Sequence, residues 1–233
     1  MPDFVNDYKC LNCKHCFRKN VLFNFLKEDE LDHINSHRLE VHFKQGEVIF
    51  KQGSPFTHIV ILHTGLGKSY IEGFRDRNLI IGFVKPYEIN CSPGMYVDGR
   101  HHCSMSAVTD VGACFVEVNA FKKIIGQNSR FSEEFIRFMS EKTIHTFNRF
   151  LTTTQKNMEG RIAEALLYFS SKIFTNGQIA HVTKQDFADF TSMTRESAIR
   201  VLKEFKDEGV IDEHDKSIEI LDEKALIKYA DLG

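Results

Sequence analysis

The stretch "TRESAIRVLKEFKDEG", Thr194 to Gly209, decides the reading of this chain. Threonine suits a helix N-cap because its hydroxyl can take a free first-turn N–H, and glycine ends a helix by adopting the left-handed conformation. At about 100° per residue, Ala198, Val201, Leu202 and Phe205 fall on one side. Arg195, Glu196, Ile199 and Arg200 fall on the other. A helix-turn-helix needs this division: the second helix packs through one face and enters the major groove with the other, its N-terminal residues toward the base edges. Arginine can hold guanine O6 and N7 bidentately, and a carboxylate can accept from cytosine N4. The competing reading is a solvated helix face carrying a Glu196–Arg200 ion pair at i,i+4.

The flanking text agrees with the first reading. "TKQDFADF" followed by "SM" supplies a first helix and a tight turn, and "VIDEHDKSIEIL" reads as strand, turn, strand. Before these, "GRIAEALLYFSSKIF" has the spacing of one helix. Between Glu159 and Val210 there are seven Lys/Arg and eight Asp/Glu, and the whole chain carries a net charge of −2. Attraction to polyanions is therefore local to one face and not a bulk property.

Further upstream, Ser132 to about Asn157 contains no Gly or Pro, and apolar residues recur at three- and four-residue steps. Phe131, Phe135, Phe138, Ile144, Phe147 and Leu151 make one stripe of a long helix. Such a stripe either packs on its own sheet or pairs with a second copy. Because so long a helix overhangs a small domain, Phe135, Phe138, Phe147 and Leu151 are expected to form a parallel dimer seam.

From about Val41 to Val118 the pattern is strand-like. Short runs such as "EVIF", "HIVIL", "LIIGFV" and "CFVEV" alternate with Gly and Pro turn signals, which suggests an antiparallel sandwich or barrel. "LKEDELDHINSH" before it reads as a short amphipathic helix burying Leu26, Leu31 and Ile34. The 233 residues, 42% apolar and 27% charged, suit two globular domains. The fold class is α+β. No signal-peptide run is present and the longest apolar stretches are too short to span a bilayer, so a cytoplasmic protein with no membrane partner is expected. No Ser/His/Asp elbow, phosphate-cradling loop or paired-carboxylate motif appears, and an enzyme is not expected.

"GEVIFKQGSPFTHIVILHTGLGKSY", "GRIAEALLYF" and "TKQDFADFTSMTRESAIRVLKEFKDEGVI", in this order from about residue 22 to 228, resemble the CRP/FNR family of bacterial transcription regulators. The resemblance implies a cysteine-bearing arm over 1–22, a cyclic-nucleotide-binding-like β-roll over 23–128, a dimerisation helix over 129–157 and a winged helix over 158–233. It implies a homodimer on palindromic operator DNA, with RNA polymerase as a further partner. The family's base-reading positions fall on Arg195, Glu196 and Arg200, with Thr194, Ser197 and Ile199 beside them. Ile199 could meet a thymine methyl but cannot donate a hydrogen bond.

The same register bears on the signal. Where cyclic-nucleotide-binding members carry a ribose-binding glutamate this chain has Cys91, and where they carry the phosphate-binding Arg and Ser it has His101 and His102. A phosphate without its arginine loses a bidentate, charge-assisted partner, so cyclic AMP is disfavoured. The leading "CLNCKHC" instead offers thiolates at C-x2-C-x2-C, the start of a ferredoxin-type cluster run that needs a fourth ligand. In the family's oxygen-sensing branch that ligand is a distant cysteine, which falls here on Cys114. Cys10, Cys13, Cys16 and Cys114 are thus the candidate ligands of a [4Fe–4S] cluster sensing a redox or gaseous signal, although the arm's spacing is several residues tighter than the family's. A zinc site drawing on Cys103, His15, His101 or His102, redox-switch thiols, free surface cysteines, and a roll that binds haem or a small metabolite remain open. From a different class, the thiols could serve an electron carrier. Cys91, His58 and His63 receive no role.

Overall fold

The computed structural model describes residues 12–14, 16, 20–74, 77–90, 93–174, 178–215 and 217–233. They form two compact units: those up to Ile71 together with Phe83–Ile144, and Glu72–Gly82 together with His145–Gly233.

The first unit is built on eight strands: β1 Arg38–Phe43, β2 Val48–Phe50, β3 His58–Thr64, β4 Gly67–Glu72, β5 Asn78–Val84, β6 Ile89–Asn90, β7 Ser104–Ala107 and β8 Val111–Glu117. They make two four-stranded sheets, ordered β1-β8-β3-β6 and β2-β7-β4-β5. The ends of β4 and β5 belong by their contacts to the second unit. Strand β8 lies between β1 and β3, with Cys114 opposite Glu40 on one side and Ile61 on the other. Alternation along these strands separates two cores. Val60, Leu62, Val111 and Ala113 join Met105 and Ala107 in one. Ile59, Ile61 and Val116 pack with Leu31, Ile34, Phe121, Ile124 and Phe131 in the other.

The helices of this unit are α1 Glu28–Ser36, the single turn α2 Gly94–Val97, α3 Val118–Gln127 and the long α4 Ser129–Gln155. Helix α1 buries Leu31 and Ile34 as expected, while Leu26 lies just before the helix. Helix α3 was not legible as a helix: "EVNAFKKIIG" continues the β-branched text of β8, and only the Phe121, Ile124 step marks a buried helix face.

Two of the expected seam residues lie elsewhere. Phe135 is only 6% exposed, with its ring 5.6 Å from Phe121, and Phe138 packs partly against the same core. The first turns of α4 spend their aromatic side chains on the unit's own core. The apolar residues left exposed on α4 are Ile136, on the far side of those first turns, and then Ile144, Phe147, Phe150 and Leu151.

The second unit carries the later part of α4, then α5 Met158–Tyr168, a π-helical turn Phe169–Ile173, β9 Gln178–Ala180, α6 Lys184–Thr191, α7 Arg195–Asp207, β10 Ile211–His214, β11 Ser217–Ile220 and α8 Glu223–Leu232. Its core centres on Phe169, whose ring is 5.1 Å from Phe187 and 5.2 Å from Phe190. The spacing of residues 160–174 predicts one helix; α5 is observed from Met158 to Tyr168 and continues as the wider turn Phe169–Ile173. The terminal hairpin is observed as β10 and β11, joined by β9 into a three-stranded sheet. Helix α8 follows it and packs close on α5: a Cβ at Gly160 would stand 2.9 Å from the Gly233 Cα.

Candidate nucleic-acid interface

Helices α6 and α7 are fixed at both ends of their turn by local hydrogen bonds. Thr183 and Asp186 form a reciprocal cap at the start of α6, the hydroxyl accepting from the Asp186 N–H at 3.0 Å and the carboxylate from the Thr183 N–H at 2.9 Å. Ser192 then takes the left-handed conformation at φ 56°, which ends α6 and turns the chain, and the Met193 N–H donates back to the Ala188 carbonyl at 2.9 Å. Thr194 caps α7 as expected, its hydroxyl oxygen accepting the Ser197 N–H at 3.2 Å.

The division of α7 follows. Ala198, Val201, Leu202 and Phe205 are at most 1% exposed, while Arg195, Glu196, Ile199 and Arg200 stand on the exposed face with Thr194, and Ser197 is half-buried between the two faces. Four hydrogen-bonding or charged side chains and one aliphatic contact thus occupy the first two turns of an outward helix. The ion pair on this face is not Glu196–Arg200. Arg200 donates from one terminal nitrogen to Glu204 Oε1 at 2.8 Å and lays the other 3.7 Å from the Met158 sulfur. Glu204, one turn beyond Arg200, went unread in the sequence although its i,i+4 spacing was visible there. Beside α7, the β10–β11 hairpin makes the wing, held to α6 by the Lys184–Glu213 pair.

At the position where the resemblance implies a phosphate-binding arginine, the roll holds His101, 6% exposed. Its ring lies between Phe50, at 4.1 Å and 15° from parallel, and Phe56, at 4.7 Å. Burial pulls its pKa down to about 4, so the ring is neutral at pH 7, and its Nδ1 is buried without a hydrogen-bond partner. A neutral imidazole between two phenylalanines offers a phosphate no charge at this position. His102 faces outward beside Asp98, Nε2 to Oδ1 3.2 Å. Cys91 lies outside the described residues.

Of the four candidate cluster ligands, Cys10 lies outside the described residues, as does His15. Cys13 is buried in the same core against which Cys114 packs. Asn35 connects them: its Oδ1 accepts the Cys13 N–H at 3.1 Å and the Arg38 Nε–H at 3.2 Å, and Arg38 reaches the Cys114 sulfur at 3.7 Å. Cys16 is half-buried. Among the described residues no three His, Cys, Asp or Glu side chains converge on a point that would hold a metal ion. Cys103 is a buried thiol whose pKa burial pushes up to about 11, an inert side chain at neutral pH.

Comparison with known proteins matches residues 40–128 to a cyclic nucleotide-binding domain and residues 160–229 to a Crp-like helix-turn-helix domain. The chain is 23% identical over 223 residues to electron transport regulator A of Shewanella oneidensis, covering 93% of this chain and 89% of that one. It is also 23% identical over 225 residues to the anaerobic regulatory protein of Haemophilus influenzae, covering 94% and 87%. A solved structure from Eubacterium rectale, assigned to the CRP/FNR regulators, superposes with a TM-score of 0.76 at 19% identity, covering 91% of this chain and 98% of that one; at such identity the match shows the fold. No helix among the described residues is long and apolar enough to cross a membrane.

Proposed function

Because the chain belongs to the CRP/FNR family of transcription regulators, with a helix-turn-helix DNA-binding domain, we propose that it binds a palindromic operator as a homodimer and reads each half-site with Arg195, Glu196 and Arg200. The observation that carries this is the exposure of those three side chains on the N-terminal turns of α7 while Ala198, Val201, Leu202 and Phe205 are buried. Thr194 and Ser197 stand where a phosphate passes the helix N-terminus, and Ile199 meets a thymine methyl. The apolar residues left exposed on α4 are covered by the same helix of a second copy, which brings two recognition helices to one face. RNA polymerase is the further partner at a promoter.

The signal we propose is redox or oxygen. The reading rests on the donor types rather than on a gathered site: two thiols border one apolar core, an arginine N–H points at the sulfur of one of them, and binding would have to draw the thiols together. Cys13 and Cys114, with Cys10 and Cys16, would hold the group, which when bound supplies an oxygen-labile link between arm and roll. The names of the two relatives, an electron transport regulator and an anaerobic regulatory protein, agree with this reading. A cyclic nucleotide is not proposed, since His101 is neutral and buried.

The test is selection from a pool of random duplexes by protein purified without air. Recovery of an inverted repeat with half-sites about 10 base pairs apart, centre to centre, supports the reading. Enrichment of no sequence contradicts it.

A further inference from the structure

Arg149 of α4 has surroundings that none of the roles above explains. It is packed with its guanidinium 3.6 Å over the Phe190 ring. One terminal nitrogen donates to two backbone carbonyls: that of Phe190, and, at 3.3 Å, that of Ile80 in the β4–β5 hairpin. Its Nε is buried without a partner. Loss of solvent pulls its pKa down to about 10, so it keeps its charge at neutral pH. The nearby Glu164 is taken by Thr152 and Lys156. A guanidinium buried without a hydrogen-bonded carboxylate is a poor way to fill space. An aliphatic chain would pack on Phe190 with no charge to desolvate.

The accepting carbonyl explains the choice. Phe190 is in the last turn of α6, where carbonyls have no partner within the helix and carry the negative end of its dipole. A cation there caps α6 two residues before Ser192 turns the chain into α7. Through one planar group, α4, the end of α6 and strand β5 at Ile80 are fixed together inside the second unit.

We propose that Arg149 is the positioning residue that sets the angle of the helix-turn-helix on the dimer helix, and so the half-site spacing that the dimer accepts. This rests on the reading of α4 as the dimer seam and α7 as the recognition helix. If α6 and α7 are clamped to α4, two copies joined along α4 present their recognition helices at one separation only. Without the clamp each domain still reads its half-site, but the second contact no longer comes at a high effective concentration.

The test uses the full chain and a panel of duplexes: the selected palindrome, the same half-sites with one base pair added or removed between them, and a single half-site. Wild type should show a sharp optimum in spacing. Arg149→Leu should lose about tenfold or more on the best palindrome, bind the single half-site as wild type does, and accept the altered spacings nearly equally. Arg149→Lys, which keeps the charge but cannot lie flat on the ring while reaching both carbonyls, should fall between them; it decides the matter if the leucine variant does not fold. Wild-type spacing preference in the variants overturns the proposal. So does an equal loss on half-site and palindrome, which is what a merely structural role gives. A wild type indifferent to spacing overturns the dimer reading, and the proposal with it.

Discussion

The imidazole of His101 stacks on the ring of Phe50, centroids 4.1 Å apart and 15° from parallel. Burial of that ring, not the contact itself, keeps the histidine neutral at pH 7. It also makes stability depend on pH. The folded pKa is about 4 against an ordinary 6.5, so the unfolded chain binds the proton first as pH falls. The stability present above pH 6.5 should be lost progressively down to about pH 4, by about 3 kcal/mol from this group, and then level off. In His101→Phe that part of the slope should vanish from denaturant unfolding curves measured between pH 7 and 4. An unchanged slope would mean the ring titrates alike in the folded and unfolded chains. Cyclic AMP should leave the melting temperature of the wild type where it was.

The exposed part of α4 gives a contrast between two phenylalanines. Phe147 is 60% exposed and Phe135 6%. Phe147→Glu should leave the fold intact and sediment as a monomer that has lost its hold on the palindrome, because a charge in an apolar seam is costly unless the copies part. Phe135→Glu should instead destabilise the roll, by at least the ~3–5 kcal/mol that emptying a buried phenylalanine site costs. Analytical ultracentrifugation together with thermal unfolding separates the two outcomes. A Phe147→Glu chain that stays dimeric would remove this face of α4 from the interface.

Much of this was legible in the sequence, for a physical reason. Thr194, Gly209 and the Ala198, Val201, Leu202, Phe205 spacing are local signals, and α7 is observed between them. The strands of the roll announced themselves through their glycine punctuation. What could not be read was which partner a face would find. Three- and four-residue steps join Phe135 and Phe147 on paper in one stripe, but twelve residues at about 100° each set them about 120° apart on α4, and the first is buried while the second is exposed. Nor does spacing show that Arg200 turns toward Glu204 rather than Glu196, or that Asn35, distant in sequence from both cysteines, joins Cys13 to the arginine at Cys114.

The cysteine arm gives a prediction read by colour. Protein prepared without air should be brown and hold about four irons per chain for a [4Fe–4S] cluster. Cys114→Ser should lose the iron together with oxygen-dependent DNA binding. Arg38→Leu should keep the iron but lower the reduction potential, since an N–H donor to a cluster sulfur favours the reduced state. Iron-free protein with one zinc per chain would make the arm a structural clip, and iron retained in Cys114→Ser would move the fourth ligand elsewhere.

Whether the outward face of α7 reads bases is decided at Arg200. The measurement is the affinity of wild type and Arg200→Ala for the selected palindrome and for random duplex, at one salt concentration. A lost guanine contact should cost about 1–3 kcal/mol per half-site on the palindrome and relax the preference at one base pair of each half-site, with random-duplex binding nearly unchanged. An equal loss on both duplexes would reduce Arg200 to a phosphate contact and leave α7 without its base reader.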